Sequence, residues 1–122
     1  MPSTDALKLT TPVIDLHRYA LARLGPIDDG TDDFLYFSPF KGTFRPLMLI
    51  VLTYHAFGNV VLFYRMLQAH GLLRIESGID LSERLQILER DLAVIEEPLR
   101  TSQTLTPIGR ALWRCVHQRL CA

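Results

Sequence analysis

The chain has 122 residues, 48% of them apolar and 21% charged, which supplies a core for one folded domain and leaves no room for two. Thirteen basic residues balance thirteen acidic ones, so the overall basic excess of most nucleic-acid binders is missing, although charge can still be segregated on the surface. The two cysteines, Cys115 and Cys121, would point to different sides of a helix that turns about 100° per residue. A mutual disulfide is therefore not expected, their spacing of six is no CxxC motif, and reduced thiols in a cytoplasmic protein are expected.

Residues 1–11 read as a tail, without the basic and apolar regions of a signal peptide, and residues 12–122 as a single helical domain. A first helix is expected from Thr11, with Pro12 at its first position and Val13, Leu16, Ala20, Leu21 and Leu24 at helical spacing. Gly25-Pro26 ends it. The acidic stretch Asp28-Asp29-Gly30-Thr31-Asp32-Asp33 lacks the alternate ligands and distal glutamate of a calcium loop, so a solvated loop is expected. Phe34, Tyr36, Phe37, Phe40 and Phe44 follow, with turn chemistry at Ser38-Pro39 and Lys41-Gly42. This region reads as a short strand or hairpin, or as an irregular cover; filling the core is the expected task of its rings, ahead of stacking on bases beside Lys41 and Arg45.

Two helices are expected next, over 46–57 and 59–73, meeting at Gly58-Asn59. Nineteen uncharged residues separate Arg45 from Arg65. Pro46, His55, Gly58 and Asn59 within that run favour buried helices over a membrane span, and no membrane partner is expected. From Asp80, with Glu83 three residues on as in a capping box, Leu81, Leu85, Leu88, Leu92, Ile95 and Leu99 recur at steps of 4, 3, 4, 3 and 4. Ile87 and Val94 widen this seam, and Pro98 is expected to close the helix. The seam has two readings, the domain's own core or a homodimer interface. The last helix starts at Thr106-Pro107 with Ile108, Ala111, Leu112, Cys115, Val116 and Leu120 on its apolar face. Arg110, Arg114 and His117 form a stripe on another face, with Arg119 adjacent.

No catalytic signature is present: no GxSxG, no phosphate-binding glycine loop, no HExxH. His117 and Cys121 stand four apart, as two metal ligands would, but no second pair completes a zinc site. No enzyme activity, cofactor or metal is expected.

The run Leu105-Thr106-Pro107-Ile108-Gly109-Arg110-Ala111-Leu112 resembles the end of the wing and the start of the final helix in winged-helix regulators of the MarR-like type, and the helix order over about residues 46–120 is similar to theirs. The expected elements make a mainly α fold of about five helices, which the resemblance makes winged-helix-like, with a helix in place of the wing. The resemblance implies a helix-turn-helix whose first helix is 47–57 and whose recognition helix is 59–73. It also implies a dimeric transcriptional regulator of double-stranded DNA, with Arg65 and Arg74 near the groove and Arg110 and Arg114 on phosphates. The matching recognition helix offers little beyond Asn59, Arg65, Gln68 and His70, and the acidic helix 80–99 stands where the family has its wing. The competing reading is an adaptor or inhibitor that binds a protein partner and no DNA.

Overall fold

The computed structural model describes residues 23, 25–72, 75–76 and 79–122. In chain order they form β1 (Leu35–Ser38), β2 (Thr43–Pro46), α1 (Leu47–Ala69), β3 (Ile75–Glu76), β4 (Ile79–Asp80), α2 (Leu81–Thr101) and α3 (Pro107–Leu120). β1 pairs antiparallel with β2, and β3 with β4, as two separate two-stranded sheets. The fold is mainly α, but three helices stand among the described residues where about five were expected. The tail and the first expected helix, 1–22, lie outside those residues.

The largest correction falls on α1. The pair of helices expected on either side of Gly58 is one helix of 23 residues, so the helix-turn-helix assignment does not hold. A glycine in a helix costs about 1 kcal/mol against alanine, which is why Gly58-Asn59 reads as a break. Here packing outweighs that cost. Gly58 is buried, and a Cβ at this position would lie 2.3 Å from Val116 Cγ1 of α3. Gly58 is the notch that lets the two helices touch. Asn59 is satisfied within the helix, its amide donating to the His55 carbonyl at 2.8 Å. α1 runs on to Ala69, about three turns past Gly58, and ends short of the expected 73. Gly71, at φ +67°, closes it with Leu72 N donating to Leu67 O and Gly71 N to Gln68 O, the paired bonds of a Schellman ending.

α1 is apolar on nearly every side: Leu47, Ile50, Val51, Leu52, Tyr54, Ala56, Val61 and Tyr64 are all buried. Its length and mean hydropathy of 1.7 would suit a membrane span, and 56% of that apolar window is buried inside the fold. α2 and α3 both pack against it. α2 begins as expected, with the Asp80 carboxylate accepting from Ser82 N and Glu83 N. It runs past Pro98 to Thr101, because a proline near the end removes only one hydrogen bond, to Val94, while the burial of Leu99 holds the last turn against the core. The seam residues Leu85, Leu88, Leu92, Ile95 and Leu99 are buried and Leu81 is half-buried. Those five leucine and isoleucine side chains pack into the core with α1 within one chain, so the homodimer reading is corrected for them, while Ile87 and Val94 beside the seam stay exposed.

The start of α3 gives the Leu-Thr-Pro-x-Gly run its physical meaning. Thr106 Oγ1 accepts from Gly109 N at 3.1 Å, Pro107 occupies the first turn, and the Thr106 hydroxyl donates to Pro26 O at 2.7 Å. Thr106 N donates to Ile27 O and Asp29 N to Thr104 O, stitching residues 26–29 to the turn before α3. Gly109 faces that stitch, and a Cβ there would lie 2.1 Å from Ile27 O. Ile27 O is a hydrogen-bonded backbone atom that cannot step aside, whereas Val116 is a side chain on a helix that can shift slightly. We therefore expect Gly109→Ala to destabilise by about 3 kcal/mol and Gly58→Ala by about 1 kcal/mol. Urea unfolding of the two variants measures the difference; equal costs would contradict this reading of the two contacts.

Candidate interaction surface

The acidic loop is a set of local caps. Asp28 Oδ1 accepts from Gly30 N at 3.1 Å, Asp29 Oδ1 from Thr31 N at 2.9 Å and Thr31 Oγ1 at 2.6 Å, and Asp32 Oδ1 from Phe34 N at 2.9 Å. The Thr31 hydroxyl, with its backbone N–H, holds the Asp29 carboxyl below its ordinary range. These carboxylates shape the approach to β1 and face no common point. Among the described residues no group of three or more His, Cys, Asp or Glu side chains is placed to hold a metal ion.

The hairpin reverses at 39–42, where Gly42 N and Lys41 N both donate to Ser38 O and Gly42 adopts φ +65°. Its register pairs Leu35 with Pro46, Tyr36 with Arg45, Phe37 with Phe44 and Ser38 with Thr43. Alternation along a strand then decides which rings go in. Tyr36 and Ser38 turn toward α1 and α2, and Ser38 is fully buried. Phe40 in the turn stacks on Phe57 of α1 at 4.2 Å between centroids. Leu35, Phe37, Phe44 and Pro46 form the opposite face, and all are exposed, Leu35 by 57% and Phe44 by 61%. Phe37 and Phe44 meet edge to face at 5.5 Å. Phe34, 74% exposed, and Met48 extend the chain of exposed apolar residues at the two strand ends.

The expectation that this aromatic run fills the core is thus corrected for Phe34, Phe37 and Phe44. The hairpin inverts the ordinary pattern, with Tyr and Ser inward and Leu, Phe and Pro outward. An outward apolar face of this kind is the ordinary mark of a site that another molecule covers. Its signal in the sequence was parity: 35, 37 and, across the turn, 44 and 46 fall on one side.

The expected nucleic-acid set does not converge. Arg65 Nη2 pairs with Glu89 of α2 at 3.0 Å, and its Nη1 donates to the Leu120 carbonyl at the end of α3 at 2.6 Å. It ties three helices together and is not offered outward as a groove contact. Arg74 lies outside the described residues. Arg110 is half-buried and Arg114 exposed, the latter 6.0 Å from the Trp113 ring. No family model, no curated protein and no solved structure matches this chain.

One hydrogen bond fastens the hairpin to the loop before it: Tyr36 Oη donates to Asp32 Oδ2 at 2.6 Å. That bond, reinforced by partial burial, pushes the Tyr36 hydroxyl from 10.0 up to about 12. Because the folded value is the raised one, the contribution is fully present below the ordinary phenol range and is lost as pH rises through about 12. Tyr36→Phe should cost about 1 kcal/mol at neutral pH, and the gap from the unsubstituted chain should close in strong alkali. Thermal unfolding at both pH values checks it; no gap at neutral pH would show the bond to be idle.

Proposed function

We propose that this chain is a protein-interaction module that associates with a second copy of itself through the outer face of the β1–β2 hairpin. The observation that carries the reading is the inverted hairpin, whose outward residues Leu35, Phe37, Phe44 and Pro46 are all apolar. Such a face is self-complementary about a two-fold axis, since apolar surface meets apolar surface in either partner. A formal net charge of zero means that two copies do not repel. The leucine seam is occupied by the chain's own core, whereas the hairpin gathers Leu35, Phe37, Phe44 and Pro46 on one exposed face. A patch this small belongs at the low end of stable interfaces, so association in the micromolar range is expected.

Sedimentation over a range of concentration tests this. The 13.9 kDa chain should convert to a species of twice that mass as concentration rises. Phe37→Ser with Phe44→Ser should hold it monomeric while changing stability by about 0.5 kcal/mol or less per site, because both rings are exposed. A monomer at every concentration overturns the reading.

A second reading, a DNA-binding regulator, is favoured by α3 alone, which carries Arg110, Arg114 and Arg119 and no acidic residue. It predicts salt-dependent binding to mixed duplex DNA that Arg110→Glu with Arg114→Glu abolishes. Anisotropy at low salt decides it, and no binding at micromolar protein removes it.

A further inference from the structure

α3 is apolar on two sides. Gly109, Trp113 and Val116 turn into the core and are buried. Ile108, Ala111, Leu112 and Cys115, at steps of 3, 1 and 3, form a second stripe beside them. Ala111 and Cys115 are exposed, and Ile108 and Leu112 are half-buried. Together with His55 of α1 these four line an open groove of about 380 Å³. None of its residues belongs to the hairpin.

Two observations point to what fills it. The first is where the chain arrives. Pro26 and Ile27 are pinned to the start of α3, the Thr106 hydroxyl donating to Pro26 O at 2.7 Å and Thr106 N to Ile27 O. Gly25, just before that pin, lies at the near end of the groove, where a Cβ on it would stand 3.1 Å from Ile108 Cδ1. The chain that precedes Gly25 therefore joins the fold at the mouth of the groove. The second is pattern. The residues before the pin space Val13, Leu16 and Ala20 at steps of 3 and 4, one apolar side of the helix expected there, with Arg18 and Ala22 on the other side. Lengths agree as well: Ile108 to Cys115 spans about 10 Å at the helical rise, and a helix running back from Gly25 over the same length reaches the stretch between Leu16 and Ala20. A segment tethered this close has an effective concentration on the order of millimolar, which favours it over the same segment of a second copy.

We propose that the groove is the docking site for residues 13–20 of the same chain, held as a helix whose Val13, Leu16 and Ala20 side meets Ile108, Ala111, Leu112 and Cys115. This contact removes from water the stripe of α3 that the core does not cover.

Cys115, the groove residue furthest along α3 from Gly25, is a natural reporter. In the full chain carrying Cys121→Ser, one further cysteine is introduced on the apolar side, as Leu16→Cys or Ala20→Cys, or on the other side, as Arg18→Cys or Ala22→Cys. Each variant is oxidised with copper phenanthroline and, separately, treated with a short bis-maleimide, which bridges spacings too long for a disulfide. Non-reducing electrophoresis separates a link within one chain from a link between two. Links to Cys115 within one chain should form about tenfold faster from positions 16 and 20 than from 18 and 22. Ala20→Cys and Ala22→Cys are equally mild, and a loosened fold would link both alike, so the contrast between them reports docking and not damage. Similar rates from both sides, no link from 16 or 20 with either reagent, or links from those positions only between chains overturns the proposal, the last by giving the groove to a second copy's segment.

Discussion

The contact of α3 with α1 at Gly58 is the constraint from which the rest of this structure follows. With no side chain at 58, Val116 seats directly on the α1 backbone, and α1 continues through the position instead of turning. A helix that is apolar on nearly every side must be covered from several directions. α2 covers one side with its leucine seam, α3 another with Val116 and Trp113, and the hairpin a third with Tyr36 and Phe40. Once those three have packed, the seam that looks most like an oligomer interface is interior. Strand alternation turned Leu35, Phe37 and Phe44 away from α1 and left them outside.

Polar contacts complete the same assembly. Arg65 reaches from α1 to Glu89 on α2 and to the Leu120 carbonyl at the end of α3, and Thr106 fastens the start of α3 to residues 26 and 27. The two ends of α3 are therefore held by different partners, with Gly58–Val116 between them. Holding the C-terminal end also keeps His117 against Glu96 and Tyr54. Burial and the neighbouring Glu96 push the Tyr54 hydroxyl pKa up, which keeps it protonated beside the imidazole.

Local chemistry was legible in the chain. The Asp80 and Thr106 caps and the α2 seam rest on interactions within a few residues, and the structure contains them. What was not legible depends on partners distant in sequence. Gly58-Asn59 reads as a break because a sequence shows the helical cost of glycine and hides Val116. The rings of 34–44 read as core because composition does not reveal which parity faces α1. Arg65 reads as a free cation because Glu89 and Leu120 lie on other helices. Glu96 and His117 lie on different helices, and nothing in their local spacing suggests that they meet.

The central claim is that the chain associates through the hairpin's outer face while the leucine seam serves only its own core. Amide hydrogen exchange measured at high and low protein concentration tests it most directly. Dilution should lower protection along Leu35–Ser38 and Thr43–Pro46 and leave Leu85–Leu99 unchanged. Loss of protection along Leu85–Leu99 with the hairpin unaffected would place the interface on the seam and contradict the account.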